Sequence, residues 1–225
     1  MKYILGEQEE PMFYASYGSL MHELLEQFYN GKIDKESMLI KFLFYFQKRV
    51  LGERPSEKIV TSYIQKGINY LESFQPLPFN VVGVEHMTEF KLAGYRFVGI
   101  IDIVGEEDGE YIVVDNKSRD LKPRSNRKKP TLKDQELEEM LKQLYIYSIP
   151  IAETFGKYPK ELCFNCFKSN TFIREPFDVR AFDKAIKWAK DTIEEIKNTD
   201  FFSPNIDWFS CKYICGLHDE CCYFE

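Results

Sequence analysis

The stretch Tyr95–Ser118 reads YRFVGIIDIVGEEDGEYIVVDNKS, two β-branched, apolar runs around an Asp108-Gly109 pair. Asp-Gly favours a two-residue type I′ loop, because both central residues need φ > 0. Such a loop pairs Glu107 with Glu110 and, counted outward, sets Asp102 opposite Asp115, with Lys117 two residues further along the same face. Directly opposed side chains stand about 4.5–5.5 Å apart, and like charges there repel. Two carboxylates held together beside a lysine suit a cation, and the arrangement has the shape of a magnesium-dependent phosphodiester-cleaving site. A loop displaced by one residue would put the aspartates on opposite faces, leaving a strand that merely begins and ends with solvated acids.

The 225 residues are enough for one domain with a real core, and 44% apolar with 16% aromatic residues is a globular composition. MKYILGEQEEP at the start lacks the apolar core of a signal peptide, and no apolar run approaches the ~20 residues that span a bilayer. A cytoplasmic protein with no membrane partner is the expectation. The net charge of −6 argues against nucleic acid until its distribution is considered. Residues 117–129, KSRDLKPRSNRKK, hold seven Lys or Arg and one Asp, while the rest of the chain carries −12. Such a run is either a solvated loop or a local grip on a phosphate backbone, and its place directly after the carboxylates favours the grip. Arg119, Lys122, Arg124, Arg127, Lys128 and Lys129 are its candidate DNA contacts.

Apolar spacing of three and four predicts helices over about Tyr14–Tyr29, Lys35–Leu51 and Glu57–Phe74, punctuated by Gly31, Gly52, Pro55, Pro76 and Pro78. Strands follow over about Val81–Leu92, Tyr95–Val104 and Tyr111–Lys117. A helix is expected over Leu132–Ser148, a strand over Leu162–Lys168 and a helix over Val179–Ile196. The order implies an α/β fold: a mixed central β-sheet with a three-stranded meander, flanked by helices. With no linker or repeat, one domain over 1–225 is expected, comprising a helical part 12–75, a core 79–198 and a cysteine-rich tail 205–225.

Four segments in this order resemble motifs of the RecB-type branch of the PD-(D/E)XK nucleases. Gly18-Ser19-Leu20-Met21-His22 resembles its histidine motif, and Gly99-Ile100-Ile101-Asp102 its G-x-x-D strand. Val113-Val114-Asp115-Asn116-Lys117-Ser118 resembles the D-x-K strand, and Gln143-Leu144-Tyr145-Ile146-Tyr147 the Q-x-x-x-Y helix. The resemblance spans about residues 14 to 150. It implies a restriction-endonuclease-like core and a Mg²⁺- or Mn²⁺-dependent deoxyribonuclease, an exonuclease of recombination, repair or phage DNA processing. DNA would be its substrate, and a helicase or recombination protein a partner.

Mg²⁺ prefers oxygen ligands and keeps several waters, so two carboxylates and a carbonyl suffice to hold it beside a phosphate. Asp102 and Asp115 are the carboxylates; the resemblance supplies the Asn116 carbonyl and His22 as further ligands. On the first helix Leu20, Met21, Leu24, Leu25 and Phe28 cover an arc of about 140°, with His22 just beyond its edge. Lys117 could orient or deprotonate a water, or serve as counter-ion to the aspartates. Gln143 and Tyr147 share a helix face, from which they could hydrogen-bond the phosphate or the carboxylates. Glu85 and Glu89 share a strand face; Glu85 could add a carboxylate to the cleft or face solvent, and both are left outside this set.

Cys163 and Cys166 fall within a predicted strand and are read as half-buried core residues. Cys211, Cys215, Cys221 and Cys222 form C-x₃-C-x₅-C-C, a spacing that suggests metal more than disulfides inside a cell. The first three resemble three ligands of the family's [4Fe-4S] cluster, with Cys222 a substitute and zinc a further option. The resemblance places the fourth ligand near Lys2-Tyr3-Ile4-Leu5, yet no cysteine precedes residue 163. Two other readings compete with the nuclease: a non-catalytic DNA-binding module on the same fold, and a cysteine-based metal-binding or redox protein. Metal-dependent cleavage of labelled DNA separates the first from both.

Overall fold

The computed structural model describes residues 8–200 and 203–223. They divide into two compact units, one of the described residues before Gln75 and after Asp200, the other of residues 75–200. No helix among the described residues is long and apolar enough to cross a membrane.

The first unit is helical: α1 (Phe13–Tyr29), α2 (Lys35–Arg49) and α3 (Glu57–Ser73). Asp34 and Ser56 supply the N-caps of α2 and α3, accepting the N–H of Ser37 at 2.8 Å and of Ile59 at 3.3 Å. The 3.6-residue period brings Phe13 and Tyr17 to one face of α1, where they meet Phe42, Phe46 and Tyr63 edge to face. His22 is half-buried on the same helix. The tail adds a short helix, Trp208–Tyr213, which Asp207 caps through the N–H of Ser210 at 2.8 Å.

The second unit carries a five-stranded sheet in chain order: β1 (Asn80–Leu92), β2 (Tyr95–Glu107), β3 (Glu110–Lys117), β4 (Glu161–Cys166) and β5 (Thr171–Pro176). All neighbours are antiparallel except β3 and β4. A parallel pair needs a crossover, and α4 (Leu132–Phe155) provides it. Helix α5 (Val179–Asn198) packs beside α4. Val113, Leu162 and Phe164 from the sheet meet Leu137, Leu141 and Leu144 of α4 and Ala185 of α5 in the core. The architecture is the mixed sheet with flanking helices that the element order implied.

Differences from the expected elements have local causes. The strand Tyr95–Val104 continues to Glu107, up to the loop itself. Helix α4 runs past Ser148 and through Pro150, although proline cannot donate to the carbonyl four residues back. Pro150 and Ile151 are buried, and Phe155 stacks on Tyr111 with ring centroids 4.1 Å apart, packing that holds the helix together beyond the break. Strand β5 has no counterpart in the expected order. It returns from β4 through a turn at Asn170, whose φ of 50° lies in the left-handed region. Cys163 and Cys166 are fully buried rather than half-buried, because β4 lies inside the sheet and is covered on both faces.

Candidate active site

The β2–β3 hairpin is built as its loop chemistry dictates. Asp108 and Gly109 have φ of 56° and 76°, and Glu107 pairs with Glu110. The ladder continues through Glu106–Tyr111, Gly105–Ile112 and Val104–Val113 to Ile103–Val114, one step short of Asp102 and Asp115. There the side chain takes over from the main chain: the Asp102 carboxylate accepts the backbone N–H of Asn116 at 2.6 Å.

A chain of polar contacts leads from the other aspartate to α4. Lys117 Nζ lies 2.7 Å from Asp115 Oδ2 and donates to Gln143 Oε1 at 3.1 Å. Gln143 Nε2 in turn donates to the Tyr147 hydroxyl at 3.1 Å. Residues 143 and 147 are one helical turn apart, which is why a single helix face presents both. Behind Asp115, the Asn116 side chain accepts from Asn165 Nδ2 at 2.8 Å, both amides being buried on paired strands.

Gly99 has a steric task. A Cβ there would lie 2.8 Å from Cε1 of Tyr147, closer than real Cβ atoms approach. The glycine of one motif and the tyrosine of another are therefore a single packing solution: the bare backbone of β2 lets α4 close down on it.

Burial dominates the electrostatics of these groups. Burial raises the Asp102 pKa, opposed by the Asn116 N–H and by Lys117. Tyr147 is also raised, first by burial and then by the charges of Asp115 and Asp102, with hydrogen bonds from Gln143 and the Ile100 backbone opposing. Tyr147 is accordingly a neutral hydrogen-bonding group at physiological pH.

Glu85, left out of the sequence-based set, joins the site. On β1 it falls between the pairs Val84–Ile103 and His86–Ile101, hence opposite Asp102. Carboxylate oxygens of Glu85 and Asp102 lie within 4.8 Å of each other. Its φ of 47° is unusual for a residue with a Cβ, and such strain gathers at functional sites. The signal was in the sequence: Ala93-Gly94 is also a two-residue loop, and counting back from it reaches Glu85 opposite Asp102. Glu89, its neighbour on the same face, is spent in an exposed ion pair with Arg96 at 2.6 Å. Close, partly desolvated oxygen donors fit a hard divalent cation.

The basic run divides in two. Arg119 pairs with Glu136 at 2.8 Å, and Arg124 pairs with Glu138 at 2.9 Å and Glu175 at 3.0 Å. Lys122, Arg127, Lys128 and Lys129 are exposed and form no ion pair among the described residues.

Of the tail cysteines, Cys215 and Cys222 are exposed and Cys211 and Cys221 partly buried. Among the described residues no cysteine belongs to a group of three ligand-type side chains within 4.8 Å. The expected N-terminal end of an iron–sulfur site, at residues 2–5, lies outside the described residues.

No curated protein matches the chain. A solved structure described as "Crystal structure of SSO0001" is similar over 100% of this chain and 92% of its own, with 19% identity and a TM-score of 0.37. A likeness at that level carries no argument about this chain. The sequence does match a family model over residues 1–222, and the chain belongs to the PD-(D/E)XK nuclease superfamily.

Proposed function

We propose that this protein is a Mg²⁺- or Mn²⁺-dependent deoxyribonuclease of the RecB-type branch, an exonuclease of recombination, repair or phage DNA processing. The observation that carries the reading is the convergence of Glu85 and Asp102 at the point where the Asp102 carboxylate caps the Asn116 N–H, on the strand that also bears Asp115 and Lys117. Asp102, Asp115 and Glu85 supply carboxylate oxygens for the cation. The Asn116 carbonyl and His22 complete the ligand set on the family resemblance. A divalent ion bound by these residues would supply Lewis-acid polarisation of a phosphoryl oxygen and would make a water easier to deprotonate.

The other groups position and shuttle. Lys117, shared between Asp115 and Gln143, is placed to orient a water or hold its proton when the Asp115 charge is engaged elsewhere. Gln143 and Tyr147 offer hydrogen bonds to a phosphate or to the carboxylates from one helix face. Lys122, Arg127, Lys128 and Lys129 supply the charge that holds a DNA backbone. A non-catalytic binding module would have no use for the Asp102, Asp115 and Lys117 set.

Digestion of 5′- and 3′-labelled linear and circular DNA, with Mg²⁺ or Mn²⁺ and with EDTA, tests the reading. Metal-dependent release of nucleotides from linear ends is expected, with circles spared. Absence of cleavage with either ion overturns it; cleavage of circles keeps the nuclease and removes the exonuclease.

A further inference from the structure

The loop between β3 and α4 is fastened in a way that the charge count does not convey. Asp134, in the first turn of α4, is buried, and its carboxylate accepts four hydrogen bonds. The N–H and Oγ of Ser125 donate at 2.6 Å each, and the N–H and Oγ1 of Thr131 donate at 2.6 and 2.7 Å. One side chain thus ties together the two ends of the segment Asn126-Arg127-Lys128-Lys129-Pro130, all five residues of which are exposed. Two further anchors lie just before it. Leu121 is buried in the core cluster, and Arg124 is held by Glu138 and Glu175.

We propose that residues 125–131 form a preset grip for the phosphodiester backbone of DNA, and that Asp134 is the positioning residue that sets it. This rests on the reading that the chain acts on DNA. The physical gain is entropic. Ordering a free loop and its long cationic side chains on binding costs about 0.5–1.5 kcal/mol per immobilised side chain. A loop whose ends are already tied has part of that ordering done in the free protein. The division of labour follows: Arg119 and Arg124 have their charges met by carboxylates and build the loop, while Arg127, Lys128 and Lys129 are displayed at its tip. The same loop joins the strand bearing Asp115 and Lys117 to the helix bearing Gln143 and Tyr147, so a strand gripped here lies along the connection between the two halves of the site.

Asp134→Asn separates this from plain electrostatics, because the two predict opposite signs. Removing a negative charge near three cations should tighten DNA binding if charge alone matters. If Asp134 sets the loop, binding should weaken by roughly two- to tenfold, the range that the ordering cost implies. The measurement is equilibrium binding of a labelled oligonucleotide in EDTA, where cleavage is off, at several salt concentrations. Ser125→Ala, which leaves the charge and the Thr131 cap untouched, should weaken binding in the same direction by a smaller factor; it decides the matter if Asp134→Asn fails to fold. Equal or tighter binding by a folded Asp134→Asn, or unchanged binding by Ser125→Ala where the first variant does not fold, overturns the grip while leaving the nuclease reading standing. Wild-type protein that does not bind DNA in EDTA overturns the grip outright, whatever cleavage assays show.

Discussion

The Asp102 carboxylate accepts the backbone N–H of Asn116 at 2.6 Å, where the β2–β3 ladder has just ended at Ile103–Val114. One side chain therefore does two things: it satisfies a buried backbone donor beyond the end of the ladder, and it lies with a carboxylate oxygen within 4.8 Å of one from Glu85. This changes what an alanine substitution means. Loss of either aspartate relieves repulsion between two acids, but Asp102→Ala also strands the Asn116 N–H.

Asp102→Asn and Asp102→Ala should therefore differ in stability and agree in activity. Both should abolish cleavage. Asparagine keeps an acceptor for the N–H, whereas alanine should cost about 1–3 kcal/mol for a buried donor left unmet. Denaturant melts of the two variants check this; equal stability would show that Asn116 finds another acceptor. Asp115→Ala should likewise abolish cleavage, and activity near wild type in it would place the cation elsewhere.

Glu85→Gln should weaken Mn²⁺ binding by at least roughly tenfold, since losing even a group that only orients a metal ligand costs about 10–100-fold. Glu89→Gln should leave it unchanged, since Glu89 is engaged with Arg96. Calorimetric titration of the two variants is the comparison. Equal effects would remove Glu85 from the site.

Gly99→Ala should push on the Tyr147 ring, where the added Cβ would stand 2.8 Å from Cε1. Overpacking of that kind costs about 1–3 kcal/mol. Tyr147→Ala removes the ring, so the double variant should be less destabilised than the sum of the two single ones. Strict additivity would show that the two positions do not touch.

The four hydrogen bonds to Asp134 hold its carboxyl well below the usual carboxylate range. A depressed folded-state pKa contributes stability that is present above the unfolded value, about 3.9, and is lost as pH falls below it. The stability gap between wild type and Asp134→Asn should therefore be flat from pH 8 down to about 5 and narrow below that. Thermal melts across this range would show it, and a gap that varied near neutrality would assign the stabilisation to another group.

The six cysteines should react in two classes. Burial, with the Glu161 carboxylate adding to it, pushes the Cys163 thiol up to about 12, and burial pushes Cys166 up to about 11. A thiol with so high a pKa is almost wholly un-ionised at pH 8 and so a poor nucleophile. Thiol titration of native protein at that pH should find Cys215 and Cys222 fast, Cys211 and Cys221 slower, and Cys163 and Cys166 silent until unfolding. Rapid labelling of all six would contradict the packing of β4.

How far the sequence reached follows from the range of each interaction. The Asp108-Gly109 loop sets its own register, because the φ > 0 demand of two adjacent residues is local and every further pair follows by counting. The sheet class, the crossover helix and the facing of Asp102 toward β3 were all within that reach. So was Glu85, by the same count from Ala93-Gly94, which sets it opposite Asp102; Glu85 taken by itself reads equally well as a solvated acid. Two things were beyond it. Tyr147 against Gly99 depends on how closely α4 lies on β2, a packing distance that no periodicity encodes. The fate of the basic run depends on Glu136, Glu138 and Glu175, which lie 14 to 51 residues away from the arginines they hold. A sequence shows how many charges a loop carries; which of them remain for a partner is decided only when folding brings distant carboxylates within about 3 Å, because ion pairing depends on separation in space rather than along the chain.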